Sequence, residues 1–342
     1  MKILVIRFRQ MGDAILATPL LSTLHRSFPD AEIHFVLNER IAPLFEGHPA
    51  ISRIITFSDA ERHSQLTYIR KVWRTVHSTH YDVIIDMRST VNTMLFALFS
   101  PSSRWRIGLR KAYTLGVFNH RVPVCRDDEG MISHNLLLAA PLAPTATDAN
   151  LSLAIRDDEK LAFRRYMEEQ GIDFGRPVLL VGVTAKLDYK TWAEDRMTET
   201  LHRLIAARPD IQLIFNYAPG REAENARRIA AALGQPSSVF TTIDAKSPRQ
   251  LAAMAANCTA YFGNEGGARH IVHAMGRPSL VICSPGASKT TWLPQHTDVY
   301  ADGIAAADLA DTRGLDARQQ YDLITVDAVW ARLEQFCQNY LM

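Results

Sequence analysis

The chain opens with an apolar run, Met1-Lys-Ile-Leu-Val-Ile6, and soon after places a carboxylate in a turn, within Arg9-Gln-Met-Gly-Asp13. Helix-start amides attract anions, so a negative side chain there is a poor partner for a phosphate. It is well placed to take a proton from a substrate hydroxyl. Aspartate also caps helices, and both base and cap fit Asp13. A second cluster is Gly263-Asn-Glu-Gly-Gly-Ala-Arg-His270, followed by Ile271-Val-His-Ala-Met-Gly276 and the apolar Pro278-Ser-Leu-Val-Ile-Cys283. Paired glycines let a ligand approach the backbone, and the helix start presents free N–H groups to an anion. Arg269 and His270 fall in that first turn, where cations are unfavourable unless an anion offsets them. The pattern fits a phosphate site, and it equally fits a glycine turn made for tight helix–sheet packing.

Two further turns carry suitable groups. Thr184, Lys186 and Lys190 form a loop suited to phosphate, although solvated lysines are common; Trp192 at its end reads as packing. Glu222 and Glu224 open another helix, where a carboxylate can accept a bond from a ribose hydroxyl or simply complement the helix dipole. Neither a Walker A loop nor a G-x-G-x-x-G at the first strand occurs, which counts against ATP hydrolysis and ordinary NAD binding.

These residues need elements to hold them. Apolar strand-like runs at Glu32–Leu37, Ile51–Phe57 and Tyr81–Asp86 alternate with helical patterns at 14–28, 64–79 and 89–99. Such alternation predicts a parallel sheet with crossover helices. The run Pro141–Asn150, with two prolines and small polar residues, reads as a linker. A second alternation follows: helix 157–170, strand Val178–Val183, helix 193–207, strand Ile211–Asn216, helix 221–233, and strands near 238–241, 259–263 and 278–283. The expected fold is α/β, with two Rossmann-like doubly wound domains, 1–150 and 151–325, facing a central cleft. The final segment, 326–342, places Val326, Val329, Trp330, Leu333, Phe336, Cys337 and Tyr340 at helical spacing. It is expected to bury that stripe against a domain, with the N-terminal one as the candidate.

Composition narrows the function. A length of 342 residues favours two domains, and 47% hydrophobic with 22% charged residues is ordinary for a soluble globular chain. A net charge of +2 argues against bulk nucleic-acid binding. No apolar run has transmembrane length and the first strand leaves no room for a signal peptide, so the cytoplasm is the expected location. Cys125, Cys258, Cys283 and Cys337 are scattered without metal-ligand spacing and read as reduced packing residues.

The opening Met1-Lys-Ile-Leu-Val-Ile-Arg-Phe-Arg-Gln-Met-Gly-Asp-Ala-Ile-Leu-Ala-Thr-Pro-Leu-Leu resembles that of the heptosyltransferases of glycosyltransferase family 9. The segment around Gly267 is similar to the family's Asp-Thr-Gly-x-x-His signature and the Ala-x-x-x-Arg-Pro that follows. Lys190-Thr-Trp192 and Ile324-Thr-Val-Asp-Ala-Val-Trp330 extend the resemblance over nearly the whole chain. It implies a GT-B fold with the acceptor domain first and the nucleotide-sugar domain second. It also implies inverting, metal-independent transfer of L-glycero-D-manno-heptose from ADP-heptose to the lipopolysaccharide inner core, with no cofactor.

Position by position, the resemblance assigns Asp13 as general base, Lys190 to the donor diphosphate with Thr184 in the neighbouring loop, and Glu222 to the ribose, with Glu224 the alternative. Gly267 and His270 match the signature. Glu265 and Gly266 stand where the family has Asp and Thr, which bears on sugar specificity. Because the implied acceptor is phosphorylated and acidic, Arg62, Arg88, Arg110 and Lys111 become candidate acceptor contacts, each of which also fits a solvated surface cation. His134 matches a family histidine, for which packing or capping serves equally. Contact with the inner face of the membrane would be peripheral, through acceptor lipid and basic surface. Transfer of another nucleotide-activated sugar, epimerisation of a donor alone, and non-catalytic nucleotide-sugar binding are the competing readings.

Overall fold

The computed structural model describes residues 1–8, 10–126, 129–143 and 148–341. Arg9 of the opening turn and residues 144–147 of the expected linker lie outside them. By its internal contacts the chain divides into two compact units, Met1–Ala154 with Pro294–His296, and Ile155–Leu293 with the chain from Thr297 onward.

The first unit is built on six parallel strands: β1 (Lys2–Ile6), β2 (Glu32–Asn38), β3 (Arg53–Phe57), β4 (Val83–Asp86), β5 (Trp105–Leu109) and β6 (His120–Val122), in the order β3-β2-β1-β4-β5-β6. Strands β1 and β4 are buried on both faces, as a parallel sheet covered by helices requires. The second unit repeats the plan with β7 (Val178–Gly182), β8 (Gln212–Phe215), β9 (Val239–Phe240), β10 (Ala260–Asn264), β11 (Ser279–Ile282) and β12 (Ala301–Ile304), ordered β12-β11-β10-β7-β8-β9. In each sheet the chain reverses its direction of growth once, between β1 and β4 and between β7 and β10. Ligands of doubly wound sheets bind beyond the carboxyl ends of the strands at such a point.

Several local expectations are corrected. The helix read over 14–28 is two helices, Met11–Ile15 and Thr18–Ser27, because Pro19 lacks an N–H and fits only a first turn. The helix read over 89–99 shrinks to Leu95–Leu98 behind a turn whose Ser89 has φ +48°. The helix Val326–Tyr340 does not serve the N-terminal domain. Its Val329, Leu333, Phe336 and Cys337 join the core of the second unit, and it packs on the helix Glu194–Ala207 and on β11. Among the cysteines, Cys258, Cys283 and Cys337 are free and buried.

One glycine decides how β7 and β10 meet. Gly263 has φ +134°, and a Cβ there would lie 2.4 Å from the Gly182 carbonyl oxygen, so no other residue fits without moving backbone. The close approach is locked by Asn264, whose Nδ2 donates to the Gly182 carbonyl (3.0 Å) and whose Oδ1 accepts from the Trp192 N–H (2.8 Å).

Candidate functional site

In the first unit the expected catalytic and acceptor residues all gather at the carboxyl ends of the strands. Asp13 follows β1, Arg62 follows β3, Arg88 follows β4, and Arg110 and Lys111 follow β5. Asp13 is 9% exposed and does not stand alone. The Arg7 guanidinium donates to its Oδ1 (3.1 Å) and to its backbone carbonyl (3.3 Å), and also to the Met87 carbonyl (3.1 Å). Arg7 thus ties the end of β1 to the end of β4 and fixes the direction of the carboxylate. The N-cap residue of the helix Met11–Ile15, Gln10, makes no side-chain cap bond, and Asp13 lies in that helix's first turn with the Arg7 guanidinium as its charge partner.

Three of the four cations hold the scaffold. Arg88 donates to the Phe8 carbonyl (2.7 Å), and Lys111 to the Arg88 carbonyl (2.8 Å). Arg62 donates to Asn38 Oδ1 (2.9 Å) and sits over the Phe8 ring at 5.2 Å. Arg110 differs: it is exposed, and its guanidinium has no partner among the described residues. Asp86, the other acid at this edge, is fully buried and accepts from the Arg88 and Ser89 N–H groups. Burial pushes its carboxyl above the usual range and leaves it no access to a substrate. His134 is buried and bonds the Pro123 carbonyl (2.9 Å), a packing role.

In the second unit the three loops follow neighbouring strands. Thr184, Lys186 and Lys190 come after β7, Glu222 after β8, and Glu265 to His270 after β10. Thr184 donates to Glu222 Oε2 (2.9 Å), which also accepts from the Ala218 N–H (3.2 Å); Glu224 makes no such bond. Neither Lys186 nor Lys190 has a side-chain partner among the described residues, and Lys186 is exposed. Trp192 is fully buried and donates to the Ile324 carbonyl (3.0 Å), which anchors the lysine loop. The helix Gly267–Ala274 begins without a side-chain cap. At its cap residue Gly266 a Cβ would meet nothing within 4 Å, so the space beside the helix start is open.

Glu265 and Arg269 act together. Glu265 Oε2 accepts from Ser284 Oγ (3.0 Å), pointing the carboxylate at the turn after β11. Arg269 is completely buried; its Nη2 donates to the Trp292 carbonyl (2.7 Å) and to His270 Nε2 (3.2 Å), while Nε and Nη1 have no partner among the described residues. Burial lowers its pKa to about 10, and Glu265 is the nearby opposing charge. The guanidinium therefore holds the loop after β11 and does not reach a ligand in this conformation. Because an arginine can only donate, Nε2 of His270 accepts and Nδ1 carries the proton. Burial and the Arg269 charge keep this ring neutral, far below the ordinary range.

Sequence reasoning missed Arg7, Asn264 and Arg269's role. Arg7 was visible as a cation closing an otherwise apolar strand. Among the described residues no three His, Cys, Asp or Glu side chains converge as a metal site requires. A cavity of about 560 Å³ lies between the helices Asp157–Glu169 and Pro248–Asn257 and shares no lining residue with these loops.

Comparison with known proteins follows the same lines. The profile of glycosyltransferase family 9 (heptosyltransferase) matches residues 69–300. Lipopolysaccharide heptosyltransferase 1 of Campylobacter coli is 19% identical over 82% of this chain and 83% of its own length. The enzyme of that name from Pseudomonas aeruginosa is 24% identical over 83% and 79%. The crystal structure of a family 9 glycosyl transferase from Veillonella parvula superposes with a TM-score of 0.83 at 14% identity, over 99% of this chain and 97% of the other. That of ADP-heptose lps heptosyltransferase II from E. coli gives 0.76 at 21%, over 99% of both. The fold is accordingly α/β of the GT-B class, with two Rossmann-like domains.

Proposed function

The chain belongs to glycosyltransferase family 9, the heptosyltransferase family, and from that premise we propose that it moves a heptose from ADP-L-glycero-D-manno-heptose to an acidic acceptor in the lipopolysaccharide inner core. It is a glycosyltransferase; the donor, the acceptor and the stereochemistry are the reading put forward here. Asp13, oriented by Arg7, accepts the proton of the acceptor hydroxyl as that oxygen attacks the anomeric carbon. The bond from that carbon to the diphosphate breaks on the opposite face, so the configuration inverts. Lys186 and Lys190 together with the amides at Gly267 meet the charge that develops on the departing ADP. Thr184 orients Glu222 toward the ribose. Transfer requires both units to engage the same donor–acceptor pair.

The observation that carries the reading is the unpartnered lysine pair on the loop after β7, at the switch point of the second sheet. A diphosphate is the ligand that such a pair and an uncapped helix start both favour. Thermal stabilisation by ADP-, UDP- and GDP-sugars tests it, because a ligand that binds the native state raises its melting temperature. ADP-heptose is expected to stabilise most and to support transfer to a heptose-deficient core acceptor. Equal stabilisation by all three, or donor turnover without acceptor, would overturn the assignment.

Two smaller outcomes follow. The chain's own cations serve the leaving group, so a chelator is expected to leave the transfer rate within about twofold; a tenfold loss in EDTA restored by a divalent ion would contradict this. Arg110→Glu is expected to raise acceptor KM roughly tenfold, about 1.4 kcal/mol, with donor KM unchanged, since its guanidinium is exposed and uncommitted. Steady-state kinetics with each substrate varied separately checks this, and an unchanged acceptor KM would remove Arg110 from the acceptor site.

A further inference from the structure

We propose that the outer face of the helix Gln65–His77 in the first unit docks on an anionic lipid bilayer. This rests on the reading that the acceptor is membrane-anchored. The helix buries Tyr68, Val72 and Val76 and turns outward Leu66, Ile69 and Trp73, which are 77%, 40% and 53% exposed. Their spacing of three and four residues places them in one stripe along the helix. Exposed apolar residues scattered singly are ordinary, whereas three large ones in a row mark a contact surface.

Charge selects the occupant. The helix contains no acidic residue and three cations, Arg70, Lys71 and Arg74. Lys71 is held by Glu61 (2.6 Å). Arg70 and Arg74 are exposed, adjoin the apolar stripe, and have no carboxylate partner among the described residues. The Trp73 ring stacks on His77 at 4.1 Å between centroids, which holds the exposed indole against its own helix. An apolar stripe with tryptophan, bordered by arginines, suits the boundary between lipid headgroups and acyl chains. A second copy of the chain is disfavoured, because a two-fold contact through this face would oppose the same arginines to each other. Exposed Leu98 lies on the helix Leu95–Leu98, which packs against this one, and widens the surface.

The test is co-sedimentation of the full chain with vesicles of phosphatidylglycerol in phosphatidylcholine, and with pure phosphatidylcholine, both free of lipopolysaccharide and donor. Binding to the anionic vesicles is expected, weakening as salt rises. Arg70→Glu with Arg74→Glu should reduce it at least tenfold, and so should Leu66→Gln with Trp73→Gln. All four side chains lie outside the groups assigned to transfer, so turnover of an acceptor stripped of its acyl chains should stay unchanged, as should the melting temperature. Absence of binding by the wild type, equal binding to neutral vesicles, or binding insensitive to both pairs would overturn the proposal. So would a concentration-dependent dimer abolished by Trp73→Gln. Since the vesicles hold neither substrate, a failed transfer assay leaves this result standing, and the reverse holds.

Discussion

Asp13→Asn is expected to lower kcat by about a thousandfold, the scale of a lost general base, while donor affinity stays within about twofold. Asparagine keeps the size of aspartate and an oxygen that accepts from Arg7, so the links from the β1 end to Met87 survive. What disappears is the capacity to take a proton. Asp13→Ala also abolishes transfer, but it strands the buried Arg7 guanidinium without its counter-charge, which costs about 3–5 kcal/mol of stability. The isosteric variant therefore separates chemistry from folding. Measurements of kcat with saturating substrates, donor Kd by titration and melting temperature together decide the matter. Turnover within tenfold of wild type would dismiss Asp13 as the base. The family match begins at residue 69, so this role stands on the surroundings of Asp13 itself: a carboxylate held by a guanidinium at the switch point of the first sheet.

What could be read from the sequence was local. A strand, a turn and a helix follow one another within a few residues, so Asp13 and the loop at Gly267 were visible from apolar periodicity and glycines alone. The resemblance to family 9 and the α/β class of the fold rest on such segments, and both hold. Edge strands carried less signal: β6 has three residues, and β5 and β12 include Arg106 and Asp302, so their patterns resemble loops.

Contacts between distant segments were not legible. Arg88 and the Phe8 carbonyl are 80 residues apart, and a basic residue after a strand looks the same whether it waits for an acceptor or braces a neighbouring loop. The helix Val326–Tyr340 shows the same limit. Its period told which face is buried, whereas its partner depended on the apolar surface left uncovered on β11 and the helix Glu194–Ala207. Arg269 is the sharpest case. A cation in the first turn of a helix suggests an anion, yet folding buries it against the Trp292 carbonyl with Glu265 as its counter-charge.

Acidification is expected to weaken the second unit by about 2 kcal/mol between pH 7 and pH 5 through His273 on the helix Gly267–Ala274, with His270 on the same helix adding a loss of the same sign. His273 is almost wholly buried, neither ring nitrogen has a partner, and burial with the Arg269 charge lowers its pKa to about 3. His270 is lowered well below its ordinary value by the same causes. Both rings are neutral in the folded state. In the unfolded chain they take up a proton below about pH 6.5, so the stability they contribute is complete above that value and is lost as pH falls toward the folded pKa. At pH 5 His273 has lost roughly 2 kcal/mol, at 1.36 kcal/mol per pH unit. For a unit of this size that loss lowers the melting temperature by roughly 5 °C, and His270 acts in the same direction. His48 acts in the same direction in the first unit, with its pKa lowered to about 4 by burial, but Asp86 opposes it there because its raised carboxyl favours the folded state as pH falls. Glu159, lowered to about 2 by Arg249, stabilises the fold above the ordinary carboxylate pKa and loses that contribution as pH falls from about 4.5 toward 2, mostly below this window. His273→Leu removes one of the two titrating rings without leaving a polar group unpaired. It should recover about 2 kcal/mol of the acid loss, and more than any effect it has at pH 7. Calorimetry at both pH values measures this; a wild-type profile that is flat from pH 7 to 5, or a slope that His273→Leu leaves intact, would mean that these rings do not titrate on unfolding.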